Sequence, residues 1–272
     1  MRDRDKTRWV VASVVTFLCP WAIAQTTPPV QRPLPATKPR VVHVVVALAD
    51  PHHQRIGPVP ASLGNGDDPR NNLYWGAELG LRGFFGKSPE WQRVAACRPV
   101  QIPVLERCIY RHQHEDVYLI ADAYRGRDIQ TAIADFYAFA AGRQRLDLNS
   151  PETPGLAAGG AADLVAYIGH DGLMDFALQR YQYWADDKRR QVIILSCASK
   201  GYFADALHWT GARPLLWTTN LMAPEAYTLE AALAGWVRKE SDDQIRNRAA
   251  AAYDKYQHCG PKAARNLLVT GW

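Results

Sequence analysis

The sequence lacks most of the short motifs that announce an activity. It contains no Gly-x-Ser-x-Gly, His-Glu-x-x-His or Gly-x-x-x-x-Gly-Lys-Ser/Thr, which sets aside serine-elbow hydrolases, zincins and P-loop enzymes. Cysteine is scarce, 5 residues in 272, with no Cys-x-x-Cys and no Cys/His zinc spacing. No resident metal is therefore expected. Gly64-x-Gly66 has no later glycine at the right offset, so no dinucleotide is expected, and no other cofactor is implied. Asn65, Asp67 and Asp68 lack EF-hand spacing and read as a tight turn with a helix cap. The net charge of +5 is too small and too scattered to imply a nucleic-acid partner. No internal repeat is visible.

What is present begins with a leader. Arg2, Arg4, Lys6 and Arg8 precede an apolar run from Trp9 to Ala24 that ends Ala22-Ile23-Ala24. A basic start, a short apolar run and a small-x-small end read as a signal peptide over 1–24. The run is shorter than the ~20 residues of a spanning helix, and no later segment replaces it. The expectation is an exported protein, periplasmic or secreted, with no integral membrane segment after cleavage. In an oxidising compartment Cys97 and Cys108, flanking a Pro-containing loop, are the candidate disulfide.

Residues 25–40 hold five prolines (Pro28, Pro29, Pro33, Pro35, Pro39) and read as an extended tether. The remainder, 41–272, is of a size for a single α/β domain. Val41–Ala49 is nearly all apolar, as in a strand buried on both faces. A long loop from Asp50 to Asn72 follows, then a helix starting at Asp68-Pro69 and faced by Leu73, Ala77, Leu81 and Phe84. Residues 87–115 read as an irregular insertion. Strands are expected at 117–121, 164–168, 192–196 and 214–219. Helices are expected around 129–140, 173–185, after Pro224, and after a capping box at Ser241 and Gln244. Alternating strands and helices over this length imply a mostly parallel sheet flanked by helices.

Two of those strands end in residues of catalytic type. Leu164-Val165-Ala166-Tyr167-Ile168 runs into Gly169-His170-Asp171-Gly172, and Val192-Ile193-Ile194-Leu195 runs into Ser196-Cys197-Ala198-Ser199. On parallel neighbours, His170 and Cys197 emerge on one rim, the placement that Cys/His nucleophilic catalysis needs. Ligands of such sheets bind outside the carboxyl ends of the strands. The polar exits Asp50, Asp122, Arg125, Asp171, Ser199 and Asn220 are therefore candidate substrate-binding residues.

A hydrophobic strand ending in His, followed by a hydrophobic strand ending in Cys, resembles the caspase, gingipain and legumain clan of cysteine peptidases. The resemblance implies a caspase-like three-layer sandwich, His170 as the catalytic histidine and Cys197 as the nucleophile. It also implies an oxyanion site formed by backbone amides at Gly172 and Cys197, and a peptide or protein substrate. Two positions depart from the clan's pattern: Asp171 separates the histidine from its glycine, and Ser196 stands where the clan often has alanine. The Asp50–Trp75 stretch, with its run Gly64–Trp75, is also similar to exported bacterial proteins of unknown function.

Carboxylates at the exits would favour a basic substrate side chain. The competing readings are an inactive, ligand-binding relative on the same rim, and a Cys-dependent acyl transferase. Most of the nine tryptophans and twelve tyrosines fall in core patterns, Trp75, Trp217 and Trp236 among them. Tyr181, Tyr183 and Trp184 are the candidates for a substrate wall.

Overall fold

A computed structural model describes residues Lys38–Trp272. The expected leader, 1–24, and most of the Pro-rich segment lie outside the described residues. The first strand, β1 (Arg40–Ala47), is a run of β-branched residues broken only by His43. Its side chains alternate: Val42, Val44 and Val46 enter one core, and Val41, Val45 and Ala47 enter another on the opposite face. A strand buried on both faces needs no polar side.

The chain continues through α1 (Leu81–Phe85), β2 (Trp91–Arg93), β3 (Val104–His112), β4 (Val117–Tyr124), α2 (Ile129–Ala140), β5 (Arg145–Asp147) and β6 (Ala157–Gly159). Then come β7 (Leu164–Ile168), β8 (Gln191–Leu195), α3 (Ser199–Thr210), β9 (Arg213–Thr218), α4 (Ala226–Val237), α5 (Asp242–Gln257), α6 (Pro261–Leu267) and β10 (Leu268–Val269). Eight strands make one sheet in the order β10-β9-β8-β7-β1-β4-β3-β2, and β5 pairs with β6 separately. The pairings among β4, β1, β7, β8 and β9 are parallel. The outer pairings, β10 with β9, β3 with β4 and β2 with β3, are antiparallel. The protein is a mixed α/β fold with a large, mostly parallel sheet.

Helices lie on both faces. Phe136 of α2 and Phe203 of α3 pack with the odd-numbered residues of β1, while Leu229 and Trp236 of α4 and Ile245 of α5 pack with the even-numbered ones. Helix α5 starts at the expected capping box: the Gln244 amide donates to Ser241 Oγ, and Gln244 Oε1 accepts from the Ser241 amide at 2.9 Å. Such a cap satisfies donors that the first turn otherwise leaves free.

Three local expectations differ from the structure. Asp68-Pro69 does not start a long helix; residues 69–80 are turns, and only Leu81–Phe85 is helical. Asp68 instead accepts from the Arg70 amide and guanidinium. Asn72 accepts from the amides of Ala49 and Tyr74 and donates to the carbonyls of Ala49 and Asn65. A side chain that takes up so many backbone groups competes with helix formation. The segment 87–115 is not irregular: it contributes β2 and β3, which extend the sheet beyond β4. The helix expected at 173–185 is a single 3-10 turn, Gly172–Met174. Tyr181, Tyr183 and Trp184 stay exposed there, so no apolar face is buried to stabilise a helix.

Cys97 and Cys108 form the expected disulfide, separated by 11 positions. Cys108 is buried in β3 beneath the turn that carries Cys97. Among the described residues no helix is long and apolar enough to cross a membrane. Closing a loop of this size is worth ~3 kcal/mol by chain entropy. Urea unfolding of Cys97→Ala/Cys108→Ala should therefore show a loss of about 2–3 kcal/mol; an unchanged midpoint would mean that the bridge adds nothing.

Candidate active site

Sequence order reverses at β1. The chain moves from β1 to β4 on one side, then crosses to β7 and continues to β8 and β9 on the other. Ligands of open α/β sheets bind at such a switch point, and His170 leaves β7 beside it. Gly169, just before it, has φ 147°, and a Cβ would lie 2.9 Å from the Ala47 carbonyl oxygen. Only glycine passes this close to β1 in that conformation.

Strands β7 and β8 are paired with Ile168 opposite Leu195. The Gly169 amide still reaches the Leu195 carbonyl at 3.4 Å. His170 and Cys197 thus each lie two residues past the end of one of two adjacent parallel strands. Cys197 then enters a tight strand-to-helix turn, in which Ala198 is left-handed (φ 47°) and Ser199 begins α3.

The two side chains bond to other partners. His170 is buried, and its Nε2 lies 2.7 Å from Asp175 Oδ2. Tyr167 Oη donates to the His170 carbonyl at 2.8 Å. The Cys197 sulfur lies 3.5 Å from the Met222 amide and 3.6 Å from the Met222 carbonyl. Among the described residues no hydrogen bond joins His170 to Cys197, and His170 Nδ1 makes none. With Asp175 ionised, Nε2 carries the proton, and Nδ1 is left as an acceptor. Asp175 was not among the sequence candidates; an acid shortly after a strand-end histidine is the only signal it leaves. It also receives the Arg55 amide at 3.3 Å, tying the long 50–72 loop to the histidine.

The remaining expected site residues divide sharply. Asp122 is not at the rim: β4 runs on to Tyr124 and leaves it fully buried. There Arg107 grips it with two hydrogen bonds (2.5 and 2.6 Å), and His43 Nε2 lies at 3.1 Å. The Gly159 amide donates to His43 Nδ1 at 3.0 Å, so Nε2 holds the proton that points at Asp122. Burial pushes the Asp122 carboxyl up, but the hydrogen bonds from Arg107 and His43 and the Arg107 charge outweigh it and hold it below its ordinary value. This is a structural ion pair within the sheet.

Ser199 is also interior. Its hydroxyl donates to the Ile194 carbonyl and contacts Thr218 Oγ1, joining α3 to β8 and β9. Asp171 is fully buried; Oδ1 accepts from the Leu173 amide, and Oδ2 has no partner among the described residues. Burial pushes its carboxyl up to about 7, against the Leu173 amide, which lowers it, and with the Asp175 charge adding to the rise. Gly172 cannot serve as an oxyanion donor as it stands, because its amide donates to the His170 carbonyl at 3.1 Å. The amides of Asp171 and Cys197 are uncommitted among the described residues.

Asp50 lies at the β1 exit but is itself buried, taken up by His53 Nδ1 at 2.9 Å and the His52 amide. It borders a cleft of about 580 Å³ that also reaches Asp67 and Arg127. Arg125 is at the rim and paired with Asp128 at 2.6 Å. Asn220 is exposed; its carbonyl accepts from the Ala198 amide, bracing the Cys197 turn. With Asp122 and Asp171 withdrawn into the interior, the carboxylate set that favoured a basic substrate is not assembled at the rim.

Trp75 and Trp217 are buried and Trp236 nearly so, as core patterns imply. Tyr183 and Trp184 do not wall the site: Trp184 packs on Gly211, past the carboxyl end of α3, whereas Cys197 precedes its amino end.

Comparison of the chain with protein-family models, curated proteins and solved structures finds no match.

Two consequences follow from the buried acids. Asp122→Ala should destabilise the fold by about 3–5 kcal/mol in urea, because the half-buried Arg107 and the buried His43 lose their partner; a fully stable variant would return Asp122 to the list of binding residues. For Asp171, the folded state binds the proton more tightly than the unfolded chain, whose carboxyl titrates near 4. Its contribution is complete below that value and is lost as pH rises through about 7. Asp171→Asn should thus flatten the fall in stability between about pH 4 and pH 7; an unaltered pH profile would contradict the shift.

Proposed function

We propose that the chain is a cysteine-dependent hydrolase of peptides or related amides on a caspase-like three-layer sandwich. Cys197 is the nucleophile and His170 the acid–base group. The observation that carries this reading is the parallel pairing of β7 with β8, whose carboxyl ends lead into His170 and Cys197 on one rim of the sheet. Asp175 on the far ring nitrogen supplies the third, orienting member of such a constellation.

The chemistry runs as follows. Nδ1 of His170 takes the thiol proton, and the sulfur bonds the substrate carbonyl carbon. The C–N bond then breaks as Nδ1 returns the proton to the leaving amine. A water molecule, deprotonated by the same nitrogen, cleaves the thioester and regenerates the thiol. The uncommitted amide of Cys197 is the donor at hand for the oxyanion; one such donor is typically worth ~3 kcal/mol in the transition state. The positive end of the α3 dipole, one residue past Ala198, favours negative charge nearby. The disulfide suits an oxidising compartment, and with the leader composition it supports export to the periplasm or beyond.

A second reading has its own support. His170 and Cys197 both bond elsewhere, as in a relative that binds a peptide or envelope ligand at the rim without cleaving it. An acyl transferase would use the same dyad with an acceptor in place of water.

Iodoacetamide labelling at near-neutral pH, read by mass spectrometry, separates these readings. Cys197 should alkylate faster than the exposed Cys259, and His170→Ala should slow it about 10-fold or more. Asp175→Asn should slow it less. A Cys197 that reacts no faster than Cys259, indifferent to His170→Ala, would leave the binding reading in its place.

A further inference from the structure

The aromatic residues that do not wall the candidate active site form a surface of their own. Tyr181, Tyr183, Trp184, Trp209 and Trp272 are all exposed, Trp184 to 62% and Trp272 to 55%. They converge at the carboxyl end of α3. Tyr183 packs on Trp209 with ring centroids 5.6 Å apart, and His208 packs on Trp272 at the same separation. Helix α3 has 12 residues, so at ~1.5 Å per residue the cluster lies roughly 18 Å from the Cys197 turn.

The presenting segment is fixed from both sides. The Trp184 amide donates to the Trp209 carbonyl at 3.1 Å, the Ala185 amide to the Ala141 carbonyl at 2.8 Å, and Arg143 Nε to the Tyr183 carbonyl at 3.0 Å. Just beyond, the buried Arg190 grips Asp186 with two bonds of 2.7 Å. The backbone that presents Tyr183 and Trp184 is therefore held in place although their rings are exposed. Contiguous exposed apolar surface with a polar rim marks an interaction site.

Two clefts open on this surface, about 520 and 460 Å³, and share His208 and Trp272 as a common wall. The first is edged by Asp187 and Arg189, and the second by Asp205. Aromatic rings thus stand beside hydrogen-bond acceptors, donors and an imidazole able to act as either. The mixture discriminates among ligand classes. An anionic lipid surface asks for a basic excess, whereas here both signs occur. A pyranose ring has an apolar C–H face and a rim of hydroxyls that both donate and accept, which matches rings bordered by both kinds of group. Adjoining clefts with a shared wall suit a chain of repeating units.

We propose that the Trp184–Trp209–Trp272 surface is an oligosaccharide-binding platform for uncharged pyranose chains, separate from the His170–Cys197 rim. Titration of the full chain with chitotetraose and with cellotetraose, followed by tryptophan fluorescence, tests this. At least one sugar should give a saturable change. Trp184→Ala and Trp272→Ala should each weaken it about 10-fold or more, since stacking on one ring is typically worth about that factor in other systems. Circular dichroism on both variants checks that they fold, and Trp184→Phe, which keeps a ring, should retain most of the affinity. Cys197→Ala should bind like the parent, which keeps failure of the hydrolase reading apart from failure of this one. No saturable binding of either sugar would overturn the proposal. So would binding lost in Cys197→Ala but kept in Trp184→Ala, or saturable binding of a proline-rich peptide in place of both sugars.

Discussion

Strand β1 is buried along nearly its whole length and hydrogen-bonds a parallel neighbour on each side, so the position of every rim residue is measured from it. Its five valines could be supplied by any sequence rich in β-branched residues. His43 is different. It places a polar ring between sheet and helix, stacked on Phe139, where it is tolerable only because Gly159 and Asp122 satisfy both nitrogens. Arg107 completes the group and carries the constraint one strand further. β6, β1, β4 and β3 are thereby joined across their side chains as well as their ladders. A buried polar network of this kind is costly when incomplete, which penalises any slip of β1 against β4.

From that fixed centre the rim follows. β7 pairs with the other edge of β1, β8 with β7, and each strand ends a residue or two before its polar exit. The Asp50–Asn72 loop is held down over the β1 exit by Gln54 and Asn72, whose amides bond the carbonyls of Leu48, Gly126, Ala49 and Asn65. Asp175 then binds this loop to His170 through the Arg55 amide. The histidine is thus positioned by strand register on one side and by a loop from β1 on the other. On the opposite flank, Met222 and Asn220 brace the Cys197 turn from the β9 exit.

The parallel strands were readable because each is an apolar run closed by polar or glycine positions, and register carried His170 and Cys197 to neighbouring exits. The disulfide was readable from cysteine spacing and compartment. What failed was decided by contacts distant in sequence. Asp122 looks like a strand exit until Arg107 and His43 are brought to it, which lets the strand continue past a charge. Leu73, Ala77, Leu81 and Phe84 have helical spacing, but Gly76 would place a Cβ 1.9 Å from the Arg70 carbonyl oxygen, and the chain there is packed as turns around Asn72. Asp175 carried no periodicity at all. The aromatic run 181–184 is close to the histidine in sequence and not in space: it lies in the connection from β7 to β8 and packs against the carboxyl end of α3.

The juxtaposition of His170 and Cys197 is tested most directly by bifunctional alkylation. Dibromoacetone, applied to a Cys259→Ser variant, first alkylates a thiol and then a nucleophile within a few bond lengths. Peptide mapping by mass spectrometry should recover residues 170 and 197 in one cross-linked species, with the bridge from the Cys197 sulfur to the His170 ring. Cys197 modified by one arm alone, with His170 unmodified and recovered in a separate peptide, would contradict the placement of the two groups in one active site.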